Sequence, residues 1–203
     1  MESYHEERHE AAQQNVLVTN RTARFLRPGA PVEKLFRDAA LSLAKQHLFA
    51  RQFVNTGRMA VANPYSRSSA CDGTGGQSVQ NVGFDWADGS RGEVNDLLRW
   101  ADGRLLVLLF GGASPKALDR LRSFAETAPI CCVQVLGPEE PPAAREFVRD
   151  PKGHLQGACH VFGHAWALVR PDAYVAATGE SVDASLVHAV GQALGARLEE
   201  DAA

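Results

Sequence analysis

Between Tyr4 and Leu26 the chain has neither proline nor glycine, and Ala12, Val16, Thr19, Ala23 and Leu26 recur at alternating steps of four and three. That spacing keeps to one face of a 3.6-residue period and predicts a helix. Arg27-Pro28-Gly29-Ala30-Pro31 breaks it, and Pro31 suits the first turn of a second helix, where a missing N–H costs nothing. Val32, Leu35, Phe36, Ala39, Leu43 and His47 then mark an inner face, and the helix is expected to end between Phe49 and Phe53. Two helices around a short turn make a helical hairpin over residues 1–54, whose apolar faces need another layer to cover them. Residues 55–77, with Asn63-Pro64, a serine cluster and Gly73-Thr74-Gly75-Gly76, read as an irregular, flexible linker.

From residue 78 to 203 the period changes. A weak strand is expected over residues 79–84 and a short helix over residues 93–100. The unbroken apolar run 105–110, bounded by Gly103 and Gly111-Gly112, suits a strand buried on both faces. Ser114 is placed to cap a helix that opens on Pro115, runs to about Thr127 and turns Leu118, Leu121 and Phe124 inward. Residues 130–136 form a second buried strand, so the order strand, helix, strand predicts a parallel crossover. Residues 166–170 and 174–177 flank Pro171-Asp172-Ala173 and predict a hairpin, after which Asp183 caps a last helix lined by Leu186, Val190 and Leu194. The fold class is α/β: a mixed sheet flanked by helices in the thioredoxin arrangement, preceded by the helical hairpin. Thioredoxins carry their redox pair where the first crossover helix opens; here Gly111-Gly112-Ala113-Ser114-Pro115 stands there, with no cysteine.

Composition narrows the functional classes. The 203 residues are 45% apolar and 22% charged, as in folded globular proteins. A net charge of −3 with dispersed Arg and Lys offers no field for nucleic acid. The first ten residues are too charged for a signal peptide, and no apolar run is long enough to span a bilayer, so a cytoplasmic protein with no membrane partner is expected. Cys71, Cys131, Cys132 and Cys159 have no CxxC spacing and read as buried or half-buried free thiols.

Several motifs carry chemistry on paper. His5-Glu6-Glu7-Arg8-His9 fits H-E-x-x-H, which places two imidazoles on one helical face, but no third ligand follows at a metzincin spacing; a solvated helix start is the plainer reading. His154, Cys159, His160 and His164 are all zinc-ligand types, yet they lack paired knuckle spacing and read as a loop bonded to backbone or water. Residues 73–76 lack the strand and lysine-bearing helix of a phosphate cradle. Arg170 and Asp172 suggest a local turn contact, and Trp100 and Trp166 are core or interface aromatics. A thiol peroxidase or transferase using Cys71 or Cys159 would require a depressed thiol pKa.

The segment Ala167-Leu168-Val169-Arg170-Pro171-Asp172-Ala173-Tyr174-Val175-Ala176 resembles the closing hairpin of the flavin-dependent phenol and hydroxyphenylpropionate hydroxylases. In that family it ends a thioredoxin-like C-terminal domain. The opening residues 3–12 resemble the helix that follows the flavin-contacting segment, and Thr56-Gly57-Arg58-Met59 with Pro64-Tyr65 resembles the family's linker. The family's glycine-rich dinucleotide fingerprint and its later glycine-aspartate motif have no counterpart here. The resemblance therefore implies a C-terminal part of an aromatic-ring monooxygenase that begins after both. The parent would use FAD and NAD(P)H; this chain is expected to hold no cofactor and no metal, and no catalytic or cofactor-binding residue is assigned to it. Its implied partner is the N-terminal FAD-binding portion, and its implied role is structural or in subunit association. The alternative is a free-standing interaction module that homodimerises through the hairpin.

Overall fold

The structure is a computed structural model and describes residues 2–54, 62–65, 67–110 and 115–195. The chain divides into two compact units, His5–Asn63 and, counted with Met1–Tyr4, Pro64–Ala203. The boundary falls inside the segment read as a linker.

The first unit is helical. Helix α1 spans Glu2–Leu26 and stops where proline and glycine follow. Helix α2 spans Pro31–Gln46 with Pro31 in its first turn. The Glu33 carboxylate accepts from the N–H groups of Gly29 at 2.8 Å and Ala30 at 3.3 Å, filling the role of an N-terminal cap. His47 is extended, and a 3-10 turn over Leu48–Ala50 leads into the short helix α3, Arg51–Val54. The stripes expected to face inward do not. Val32, Leu35 and Phe36 are 76%, 72% and 61% exposed, and the α2 residue buried is Ala40. On α1, Val16 and Leu26 are exposed, while Glu7, Ala11, Val18, Thr22 and Phe25 form the shielded line. Periodicity identifies a helix, but two lines of apolar residues on one helix leave open which is covered.

The second unit is a seven-stranded mixed sheet. Its strands are β1 (Gly83–Trp86), β2 (Arg91–Glu93), β3 (Leu105–Phe110), β4 (Ile130–Leu136), β5 (Phe147–Arg149), β6 (Trp166–Val169) and β7 (Val175–Gly179). Helices α4 (Val94–Ala101), α5 (Pro115–Thr127), α6 (His154–Ala158) and α7 (Ala184–Leu194) complete it. The order is β2-β1-β5-β4-β3-β6-β7. Strands β3 and β4 are parallel; β6 runs antiparallel to β3, and β7 antiparallel to β6. With α5 between β3 and β4, and α7 after the hairpin, β4-β3-β6-β7 is the thioredoxin arrangement. Strands β5, β1 and β2 extend it on the β4 side.

Every residue of β3 is buried, and successive side chains serve opposite faces. Leu106, Leu108 and Phe110 join Val133, Val135, Leu97 and Ala101 in one core layer, and Leu105, Val107 and Leu109 join Leu118, Leu121, Ile130 and Leu186 in the other. At about 1.5–3 kcal/mol per fully buried aliphatic side chain, this strand anchors the unit. The expected weak strand at 79–84 is shifted, to 83–86, and β2, β5 and α6 are additions that the pattern did not indicate. Ser114, the expected cap of α5, lies outside the described residues, as do residues 55–61.

The described part of the linker is firmly attached. Asp72 N–H donates to the Ala176 carbonyl, Gly76 N–H to Val175 and Val175 N–H to Gln77. Ser78 forms a bridge to Tyr174, so residues 72–79 line the outer edge of β7. The Asp72 carboxylate accepts from the N–H groups of Thr74 and Gly75 and sets the turn. The expectation of a flexible linker is corrected over this stretch. Glycine is used here for close approach: a Cβ on Gly75 would stand 2.1 Å from the Ala176 oxygen.

Candidate functional site

The place where a thioredoxin carries its redox pair, residues 111–114, lies outside the described residues, and the sequence puts no cysteine there. The four cysteines elsewhere are in no disulfide. Burial, followed by the negative charge of Asp150, pushes the Cys159 thiol up to about 12. Burial, followed by neighbouring Cys131, pushes Cys132 up to about 12, and burial also raises Cys131, whose Sγ donates to the Ala101 carbonyl at 3.6 Å. A nucleophilic thiolate needs the opposite shift, so Cys159 is corrected from a candidate nucleophile to a core thiol. Cys71 is buried beside the hairpin, with its Sγ 3.8 Å from the Val175 carbonyl and 3.7 Å from Arg170 Nη1.

Helix α1 does bring His5 and His9 together, with stacked rings whose centroids are 5.7 Å apart. His154 opens α6, its N–H donating to Asp150, while Cys159 is buried at the helix end and His160 adopts a positive φ of 57°. His164 Nδ1 is buried without a hydrogen-bond partner. Among the described residues no three His, Cys, Asp or Glu side chains converge as a metal site.

The hairpin turn is built as its residues suggest. Ala173 N–H donates to Arg170 O, Arg170 N–H donates to Tyr174 O, and the Arg170 guanidinium pairs with Asp172 at 2.7 Å. Tyr174 stacks on Tyr65 with centroids 4.0 Å apart, and Arg170 sits 5.7 Å from the Tyr65 ring centre. These contacts fix the linker to the sheet. Trp166 is 1% exposed, its indole N–H donating to Ser181 O, as a core aromatic should be.

Among the described residues, two cavities flank the start of β4. A cavity of about 270 Å³ opens on the α5 side, lined by Leu118, Leu121, Cys132 and Gln134 and rimmed by Arg104, Arg122 and Arg145. A second, of about 230 Å³, opens on the other face against Trp86, Val133 and Phe147. Trp100, 38% exposed, and Glu146 line both. Gln134 is a polar residue inside an apolar strand; its Oε1 accepts from the N–H groups of Ala143 and Ala144, each at 2.9 Å, and folds the proline-rich loop back. A lone glutamine in Ile-Cys-Cys-Val-Gln-Val-Leu is the sequence signal that marks this region.

No protein-family model matches the chain, and no curated protein sequence matches it. Solved structures do. The flavin-dependent monooxygenase PieE, solved in complex with FAD and substrate, superposes with a TM-score of 0.63 at 18% identity over 96% of this chain. OxyS anhydrotetracycline hydroxylase from Streptomyces rimosus gives 0.60 at 22% over 94%, and the rebeccamycin biosynthetic enzyme RebC with reduced flavin gives 0.55 at 23% over 96%. The fold is that of a segment of flavin-dependent monooxygenases. The chain spans 40%, 34% and 36% of the lengths of PieE, OxyS and RebC. The monooxygenase-like fold agrees with the resemblance carried by the hairpin residues. Among the described residues, no helix is long and apolar enough to cross a membrane.

The residues around the β4 cavities do not fit FAD. Pockets for drug-sized ligands run to about 300–1,000 Å³, and a dinucleotide needs more than the smaller volumes present here. Residues 73–76, the glycine-rich stretch, run along β7 instead of leading from a strand into a helix that could receive a pyrophosphate.

Proposed function

We propose that this chain is the C-terminal portion of an FAD- and NAD(P)H-dependent aromatic-ring hydroxylase, with a structural or subunit-association role and no turnover by itself. The observation that carries this reading is the extent of the likeness: 94–96% of the chain follows three flavin-dependent monooxygenases while covering 34–40% of their length. The hairpin motif, the thioredoxin arrangement and the sequence's lack of a dinucleotide fingerprint support it. The flavin chemistry belongs to the part that binds the cofactor, and this chain's partner is that part. The test is an absorption spectrum of the purified chain after incubation with FAD and desalting, together with NADH and NADPH oxidation in the presence of phenol. The expected result is a colourless protein and no oxidation above free FAD. Flavin retained at near-equal stoichiometry overturns it.

One observation favours the second reading, a free-standing module that homodimerises. Val32, Leu35, Phe36, Leu48 and Phe49 are all more than half exposed, a run of apolar surface that a monomer seldom leaves open. Sedimentation separates the readings: a stable dimer that protects α2 supports the module, and aggregation through an open face supports the portion of a larger enzyme.

A further inference from the structure

Strand β4 is paired along its length on one side and along half of it on the other. On the β3 side the register runs from Leu105↔Ile130 to Phe110↔Val135. On the β5 side it covers Gln134, Val135 and Leu136 and no earlier residue. In a parallel ladder, alternate residues direct their N–H and C=O groups to opposite neighbours. Gln134 N–H donates to Glu146 O, and Asp150 N–H donates to Leu136 O, so the even-numbered residues of β4 face β5. Cys132 lies two residues before Gln134. Its N–H and C=O therefore point to the same side, below the start of β5, where no described strand runs. Ile130, the other even-numbered residue of this half, turns its N–H to the Ala128 carbonyl at 2.8 Å, so Cys132 is the residue that presents both backbone groups to the gap; open strand edges are templates for pairing.

The two cavities flank this edge on opposite faces. The α5 side carries three guanidinium groups, of Arg104, Arg122 and Arg145, against Glu146 among its described lining residues. Arg122 also pairs with Asp119 at 3.2 Å, and Arg145 lies 3.8 Å from Glu146. The opposite side presents Trp86, Trp100, Val133 and Phe147, with the carboxylates of Asp88 and Glu146 at its rim and no basic residue among its described lining. Successive side chains of an extended peptide alternate between faces. Acidic residues would meet the arginines while apolar residues meet the tryptophans.

From this we infer that the open half of β4, residues 130–133, is a docking site for an extended segment of another polypeptide, in which acidic and apolar residues alternate. The segment adds a strand beside Cys132, main-chain hydrogen bonds supplying affinity and the two cavities supplying selectivity. A free segment fits better than a second copy of the chain. Trp86, Ala87 and Asp88, where β1 turns toward β2, line the second cavity together with Val133 of β4, and the edge strand of a folded domain would bring its own neighbour against that turn.

The experiment is fluorescence anisotropy of a fluorescein-labelled heptapeptide of alternating valine and glutamate, titrated with the whole chain. A saturable rise is expected. Methylating alternate amide nitrogens of the peptide, or exchanging its glutamates for lysines, should weaken binding at least about tenfold. The double variant Arg104→Glu with Arg145→Glu should do the same with unchanged circular dichroism; if it misfolds, the two altered peptides carry the test on the unmodified protein. Absence of saturation up to about 1 mM chain overturns the inference. So does equal binding of the methylated peptide, which means charge attraction without strand addition. Sedimentation showing a dimer that the peptide dissociates also overturns it, because the occupant is then a second copy.

Discussion

At the scale of single residues, two positions show side-chain size and charge deciding local structure. Gly75 lies so close to β7 that a Cβ would meet the Ala176 carbonyl carbon at 2.5 Å and the Val175 oxygen at 2.7 Å. Both are backbone atoms of a buried strand and cannot swing away. Gly75→Ala should therefore cost about 1–3 kcal/mol, the range for overpacking, measured by urea unfolding. A loss below about 0.5 kcal/mol would contradict the seating of residues 72–79 along β7. Asp183 caps α7, its carboxylate accepting from Ser185 N–H at 2.8 Å. Hydrogen bonds, first from Ser181 and then from Ser185, hold its pKa below that of an ordinary aspartate. Because the folded-state value is the lower one, the stabilisation is present above the unfolded-state pKa and is lost as pH falls through the folded-state pKa. Asp183→Ala should lower stability by about 0.5–2 kcal/mol at neutral pH. The gap between variant and parent should close as the pH is taken below the ordinary carboxylate range; a gap that persists in acid would show that the cap does not act through its charge.

At the scale of elements, legibility followed length and contrast. The runs at 105–110 and 130–136 are continuous, apolar and bounded by turn residues, so their strands were readable to the residue. Strands β2 and β5 have three residues each, Arg-Gly-Glu and Phe-Val-Arg, and no such run can show a period. The apolar stripe on α2 was legible as helix and wrong as inner face, because exposure depends on what covers a helix and not on its own sequence. The β4 cavities were hidden for a different reason: they arise where β5 starts late, a matter of register between strands distant in sequence. Within the sheet, β3 is the element on which both core layers depend. Leu106 is 0% exposed between β4 and β6, and Leu106→Ala should cost about 2–5 kcal/mol in equilibrium unfolding. A value near that of an exposed site would place β3 outside the core.

At the scale of the whole molecule, the division at residue 63 gives a spectroscopic consequence. All three tryptophans, at positions 86, 100 and 166, belong to the sheet unit, and the helical unit has none. Intrinsic fluorescence is consequently blind to the helices, whereas far-ultraviolet ellipticity is weighted toward α1 and α2. If the two units unfold as independent cooperative blocks, the fluorescence and ellipticity transitions in denaturant will separate; if they unfold as one, the curves will coincide. Within the fluorescence signal, Trp166 at 1% exposure should resist iodide while Trp100 at 38% is quenched. Trp166 is thus a shielded reporter in the hairpin core, whereas Trp86 and Trp100 line the β4 cavities, and a bound peptide would protect those two from iodide while leaving the first unchanged.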